Sequence, residues 1–264
     1  MAPHDAETLS GPDRPSSGAA PTRVAIISDV HGNLPAFGAV LEDVERVGAD
    51  AVWCLGDLVG YGAQPDECVA LARRRCDRCL LGNHDLVALG RLDVTTFSPN
   101  AAIAATWTAE RLGAEARGYL SGLATHEPDP PVGLFHASPR DPVWEYVLST
   151  MQASGCMDAM DARIGAIGHS HVALHFSRPD GGTARGSLAP GGTEVDLSTG
   201  RWLLNPGGVG QPRDGDPRAA WMLLDLGRAR ASWHRVEYPV DEAARAIEAT
   251  ELPQALAKRL YLGQ

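Results

Sequence analysis

The chain has 264 residues, 23 Lys+Arg against 33 Asp+Glu, a formal net charge of −10 and 44% hydrophobic residues. That apolar content suffices for a packed core and excludes a disordered chain, while no stretch reaches the roughly 18 apolar residues that a membrane helix needs. The acidic balance disfavours long nucleic acids, whose phosphates it would repel, but leaves a small phosphorylated molecule open as a partner.

Residues 1–21 are rich in Pro, Ser, Gly, Ala and Asp and read as a disordered tail. They lack the basic start and apolar stretch of a secretion signal. Cys54, Cys68, Cys76, Cys79 and Cys156 do not form a secreted disulfide framework, so the expectation is a cytoplasmic protein.

The fold signal begins at Thr22. A short apolar run over 24–27 ends at Ser28-Asp29, and 35–47 follows with apolar residues at helical spacing, Phe37, Val40, Leu41, Val44 and Val47. The run 51–55 ends at Gly56-Asp57, and 66–75 is the next helix. The run 78–81 ends at Gly82-Asn83-His84-Asp85. Residues 86–125 read as mostly helical and are placed to cover a site. Further runs at 132–135 and 164–167 end at His136 and at Gly168-His169-Ser170-His171. Continuous short apolar runs predict strands buried on both faces, and their alternation with helices predicts βαβ units. Beyond His171 the chain reads as β-rich, with strands over 172–176, 201–204, 219–226 and 230–236. The segment 177–192 reads as a mobile loop near the pocket, and 241–262 as one or two helices interrupted near Pro253.

In open α/β sheets the chemistry gathers beyond the carboxyl ends of the strands. Here those ends carry Asp29, His31, Asp57, Asn83, His84, His136, His169 and His171. A bridging carboxylate, several imidazoles and a neutral oxygen donor suit two divalent ions about 3.5–4 Å apart. Mixed carboxylate and imidazole favours Mn, Fe, Zn, Co or Ni over Mg or Ca. The lack of thiolates in the set argues against a structural zinc site. Each motif alone is weak; their ordered recurrence at five strand ends carries the reading.

These segments resemble the calcineurin-like metallophosphoesterases, above all their small bacterial and archaeal members. The resemblance rests on Asp29-Val30-His31-Gly32, Gly56-Asp57 through Gly62, Gly82-Asn83-His84-Asp85, His136 and Gly168-His169-Ser170-His171. The loop from Asn205 to Arg213 resembles a further one in those members, except that Gly208 stands where Ser is common. The resemblance implies a four-layer α/β/β/α sandwich with two mixed sheets, formed as one domain over residues 22–264. It implies one metal on Asp29, His31, Asp57 and His171, and a second on Asp57, Asn83, His136 and His169, with Mn favoured. A hydroxide between the metals would be the nucleophile, His84 would serve the leaving group, and Asp85 would orient the His84 ring.

The expected activity is hydrolysis of a small phosphodiester or phosphomonoester. A dinucleoside polyphosphate (asymmetric tetraphosphate) hydrolase, a protein phosphatase and a non-catalytic metal-binding scaffold are the alternatives. Arg213 and Arg218 are candidates to grip phosphate, with salt bridges to Asp214 or Asp216 as the plain alternative. Tyr61 and Asn100 are further candidate pocket residues, whereas Trp107 reads as core. His175 reads as sharing a strand face with His171, packed or supporting it rather than ligating. Cys76 and Cys79, a lone CxxC, read as ordinary helix-end and strand residues. Nothing in the sequence selects an oligomeric state.

Overall fold

The computed structural model describes residues 20–129 and 131–264. The expected tail over 1–21 therefore lies, but for its last two residues, outside the described residues, as does His4. Two βαβ units open the fold: β1 (Arg23–Ile27), α1 (Leu34–Val47), β2 (Ala51–Cys54), α2 (Pro65–Arg75) and β3 (Arg78–Cys79). Helix α1 starts where the Asn33 side chain accepts from the Ala36 amide at 3.1 Å, and it stops at Gly48 in the left-handed conformation. Helix α2 carries Asp66 and Glu67 in its first turn and Arg73, Arg74 and Arg75 in its last, matching the helix dipole.

The helical stretch that follows comprises α3 (Asn83–Ala88), a 3-10 turn at Val94–Thr96, α4 (Pro99–Arg111) and α5 (Ala114–Ser121). The second half holds β4 (His126–Glu127), β5 (Val132–Phe135), α6 (Thr150–Asp158), β6 (Ile164–Ala166), β7 (Leu174–Arg178), β8 (Arg185–Leu188), β9 (Glu194–Asp196) and β10 (Arg201–Asn205). Strands β11 (Ala219–Asp225) and β12 (Arg230–Val236) precede α7 (Val240–Glu248) and α8 (Gln254–Leu262), which flank Pro253.

The strands form two mixed six-stranded sheets, ordered β3-β2-β1-β11-β12-β9 and β4-β5-β6-β10-β7-β8. Alternation along each strand divides its side chains between two cores. Val24, Ile26, Trp53, Met222 and Leu224 point between the sheets, where they meet Leu134, Ile164, Ala166, Leu204 and Trp233. Ala25, Ile27, Val52, Cys54 and Trp221 face outward and are covered by Phe37, Val40 and Leu41 of α1, Val69 of α2 and Leu256 and Leu260 of α8. On the far side, Ala153, Cys156 and Met157 of α6 cover Phe135, Phe176 and Leu203. The result is helix, sheet, sheet, helix in four layers. Both faces of the central strands are buried, so their sequences are continuously apolar.

Two expectations change. The segment 177–192 is not simply a loop: it contains β8, which pairs antiparallel with β7 at the sheet edge, Leu174 opposite Leu188. All four β8 residues are exposed, so the apolar pattern that marks a strand is absent. Strand β7 begins at Leu174 rather than at Val172, because the chain is still leaving the turn at His171, held by the Ala173 amide on Asp214 Oδ2 at 3.2 Å. No helix among the described residues is long and apolar enough to cross a membrane.

Candidate metal centre

The loops leaving β1 and β2 are zipped together. The Asp29 amide donates to Gly56 O at 3.0 Å, His31 to Asp57 O at 2.9 Å and Gly32 to Leu58 O at 2.9 Å. This forces an unusual backbone. Among the described residues seven non-glycine residues have positive φ, and six of them, Asp29, His31, Asp57, Tyr61, His169 and His171, lie in this region at 49° to 63°. Each such conformation costs about 1–2 kcal/mol, and such strain concentrates at functional sites. Gly82 completes the turn because a Cβ there would overlap the Asp57 carboxylate.

The ring orientations are fixed by the backbone. His31 Nδ1 lies 3.0 Å from Val59 O, His136 Nδ1 3.0 Å from Leu55 O, and His171 Nδ1 2.6 Å from Gln211 O. A carbonyl only accepts, so each Nδ1 carries the hydrogen and each Nε2 of the neutral ring presents a lone pair. Burial keeps the rings neutral: it holds His31, His84, His169 and His171 well below the usual imidazole range and lowers His136.

Those lone pairs converge on other acceptors. His31 Nε2 is 3.1 Å from His171 Nε2 and 3.5 Å from Asp57 Oδ2. His171 Nε2 is 3.4 Å from Asp29 Oδ1. His136 Nε2 is 3.5 Å from Asp57 Oδ2 and 3.2 Å from Asn83 Oδ1. Asp29 Oδ1 and His169 Nε2 are buried without any hydrogen-bond partner. Burial raises the Asp29 carboxyl to about 7, and burial with the neighbouring Asp85 charge raises Asp57 well above the usual range. Buried acceptors facing acceptors are costly unless a cation lies among them. The donor set therefore fits metal ions, and the ligand atoms group as Asp29 with His31 and His171, His31 with Asp57 and His84, and Asp57 with His136 and His169, each group within 4.8 Å.

His84 and Asp85 behave differently from each other. The His84 amide donates to Asp57 Oδ1 at 2.9 Å. Its ring packs among Tyr61, Phe97 and His31 at centroid distances of 4.4, 4.6 and 4.8 Å, and its Nδ1 is buried without a partner. The expectation that Asp85 orients this ring is not met. Asp85 Oδ2 accepts from the Gly82 amide at 2.9 Å and Oδ1 from the Val59 amide at 3.1 Å. It sits one turn into α3 and folds back onto its start, so it ties the β2 and β3 loops together.

A cavity of about 260 Å³ opens over the cluster, lined by Asp57, Asn83, His84, His169 and His171 together with Tyr61 and Arg213. The sequence reading missed Phe97, Trp144, Tyr146 and Arg259, which also line it. Tyr146 stacks on His169 at 4.1 Å. The aromatic residues of 143–147 sit in a polar loop, an exposure signal that was available; Arg259 gave none beyond a basic last helical turn.

Asn100 and Arg218 are not among the residues lining this cavity. At the start of α4, Ala101 takes the cavity side and Asn100 is exposed. Arg218 is held by Asp216, with Nη2 to Oδ2 at 2.6 Å. His175 does not support His171, because the two do not share a strand; it packs between Trp202 and Trp233 at 5.9 and 5.6 Å. Trp107 lies in the core with Nε1 donating to Glu251 at 3.0 Å. Among the described residues no candidate metal group contains a cysteine.

Residues 22–228 match the family model described as calcineurin-like phosphoesterase superfamily domain. The chain is 35% identical over 247 residues to an uncharacterized protein of Methanocaldococcus jannaschii, spanning 91% of this chain and 98% of that one. It superposes with a TM-score of 0.83 on the crystal structure of a metallophosphoesterase from Sphaerobacter thermophilus, 40% identical, covering 93% of this chain and 100% of that chain. A shorter match, 35% identical over 89 residues, covers 32% of this chain and 33% of a symmetrical bis(5'-nucleosyl)-tetraphosphatase of Actinobacillus pleuropneumoniae.

Proposed function

The chain belongs to the calcineurin-like phosphoesterase superfamily, and on that premise we propose that it is a dinuclear metal-dependent hydrolase of a small phosphorylated molecule, a phosphodiester or phosphomonoester. The observation that carries this reading is the inward set of imidazole lone pairs and carboxylate oxygens, which has no donor of its own. Asp29, His31, Asp57 and His171 would hold one ion, and Asp57, Asn83, His136 and His169 the other, with Asp57 shared. When bound, the ions would supply a water of lowered pKa and positive charge for the phosphoryl oxygens.

The chain's own groups do the rest. His84 lies on the cavity wall as a neutral ring, suited to donate a hydrogen bond from its ring N–H to the leaving oxygen. Its position depends on Asp57, which accepts from its amide. Arg213, with its guanidinium 5.5 Å from the Tyr61 ring centroid, supports the phosphate. Phe97, Trp144 and Tyr146 line one side of the cavity and offer ring faces to a substrate.

A second reading, hydrolysis of a dinucleoside polyphosphate, is favoured by the short match to the tetraphosphatase and by those aromatic walls. The test is turnover of p-nitrophenyl phosphate and bis-p-nitrophenyl phosphate by Mn2+-loaded protein beside His84→Ala and Asp57→Asn. Wild-type turnover well above both variants supports the reading, and equal turnover in all three overturns it.

A further inference from the structure

The His84 ring is held differently from its neighbours. His31, His136 and His171 are each oriented by a backbone carbonyl at Nδ1, at 3.0, 3.0 and 2.6 Å. The His84 Nδ1 is buried with no hydrogen-bond partner, and Asp85, the nearest carboxylate in sequence, is taken by the Gly82 and Val59 amides. With no acceptor at Nδ1, the ring hydrogen belongs on Nε2, the nitrogen on the cavity side. The χ2 torsion of histidine is soft, so a ring without a polar anchor takes its direction from packing.

One backbone segment and three rings supply that packing. Gly60, at φ 90°, lies behind Nδ1, and a Cβ there would overlap the nitrogen, so only glycine lets the β2 loop pass this close. Tyr61 and His31 meet the ring at centroid distances of 4.4 and 4.8 Å. All three belong to the loops after β1 and β2. Phe97, at 4.6 Å and 46°, comes from the helical cover instead. It follows the turn Val94–Thr96, its amide donating to Val94 O at 3.0 Å, and the Thr95 amide donates to Asp93 Oδ1 at 2.9 Å. Trp144 meets the Phe97 ring edge-on at 5.6 Å and 85°, and the Trp144 amide is held by Asp141 Oδ1 at 3.1 Å. Phe97 is thus fixed from two sides. Its described ring contacts are His84 and Trp144, neither of them among the residues proposed above to hold a metal.

We propose that Phe97 is a positioning residue, which completes a cage of rings that points the His84 Nε2–H at the leaving oxygen of the substrate. This rests on the hydrolase reading above. In the step concerned, the oxygen of water bonds to phosphorus while the bond to the leaving oxygen breaks, with its electron pair on that oxygen. The leaving oxygen accepts the hydrogen bond from Nε2, and a proton of the water passes to solvent. The help matters in proportion to the charge that collects on the leaving oxygen. Nitrophenolate spreads that charge over its ring and nitro group and needs little help; phenolate holds more of it and needs much. A ring free to turn gives up this hydrogen bond, which weakens steeply with angle, while the phosphoryl group keeps its other contacts. A Phe97 that merely stacked on substrate would instead change KM for both kinds of ester and leave kcat alone.

The experiment measures kcat and KM of Mn2+-loaded wild type, Phe97→Ala and Phe97→Tyr on two pairs of esters, phenyl phosphate with p-nitrophenyl phosphate and diphenyl phosphate with bis-p-nitrophenyl phosphate. The crystal structure of metal-free Phe97→Ala gives a readout independent of activity. Within each pair that the wild type cleaves, the phenyl-to-nitrophenyl ratio of kcat should fall ~10-fold or more in Phe97→Ala and recover in Phe97→Tyr, which presents the same ring face. In the crystal the His84 ring should leave its wild-type orientation or take more than one. Should Phe97→Ala lose its fold, Trp144→Ala, which removes the support of Phe97, should lower the same ratio. An unchanged ratio overturns the proposal, whether KM alone changes or both rates fall equally, and so does a His84 ring that keeps its single orientation, whatever the rates. A wild type that cleaves only the nitrophenyl esters also overturns it, since it gives the leaving oxygen no help. A wild type that cleaves none of the four contradicts the hydrolase reading itself, which separates the two failures.

Discussion

Replacing Asp57 by Asn should stabilise the metal-free protein while abolishing its function. Asp57 Oδ1 accepts from the His84 amide at 2.9 Å, and Oδ2 faces the Nε2 lone pairs of His31 and His136, each at 3.5 Å. An Asn side chain keeps the first contact through its oxygen and turns two N–H donors toward the imidazoles. Each neutral hydrogen bond contributes about 0.5–1.5 kcal/mol, and a buried carboxyl that resists ionisation is removed. A gain of about 2 kcal/mol corresponds to a rise in Tm of about 4–8 °C for a chain of this size. The assay is thermal unfolding of chelator-treated wild type and Asp57→Asn at pH 7.5, repeated with Mn2+. Manganese should raise the wild-type Tm strongly, through about 4 kcal/mol of added stability at a thousand times Kd, and the variant's far less. A lower Tm for Asp57→Asn in chelator would refute the reasoning, because it would mean that the carboxylate is satisfied by the protein alone.

His84→Ala should lower turnover by about 10²–10⁴-fold while leaving two metals per chain by elemental analysis, since its role is proposed on the substrate side. Asp85→Ala should cost about 2–4 kcal/mol in denaturant unfolding, because it strands the buried Gly82 and Val59 amides; the pH profile of kcat should keep its shape, which a ring-orienting Asp85 would not allow. Metal-free protein should lose the contribution of the Asp29 carboxyl as pH rises toward 7. The folded Asp29 carboxyl titrates at about 7 against 3.8 in the unfolded chain, so its stabilising proton is present in the folded state alone between those values and its contribution declines across them at up to about 1.4 kcal/mol per pH unit, levelling off above about 7. Below about 6.5 the buried imidazoles reverse the trend, since their depressed pKa values let only the unfolded chain take up protons. Tm measured against pH in chelator and in Mn2+ checks both limbs, and the loaded protein should show neither.

The parts of the molecule that follow from local pattern were legible. Strands β1, β2 and β11 are buried on both faces, so 24–27, 51–55 and 219–226 were visible as unbroken apolar runs. The polar residues that end those runs converge because parallel neighbours bring their carboxyl ends together. What escaped depends on surfaces and on tertiary partners. Strand β8 exposes every residue and carries no apolar signal. The family resemblance implied that Asp85 orients the His84 ring, but the helix start turns its carboxylate onto the Gly82 and Val59 amides. Arg259 reaches the cavity only because α8 packs beside the β1 end of the fold. The loop acids that decide between Arg213 and Arg218 are near both in sequence, and only their pairing shows which arginine stays free.

The most direct test is anomalous diffraction at the manganese edge from crystals of Mn2+-loaded protein. Two peaks should appear about 3.5–4 Å apart, both within bonding distance of Asp57, one beside Asp29, His31 and His171 and the other beside Asn83, His136 and His169. A single peak, or peaks remote from these side chains, would contradict the dinuclear centre.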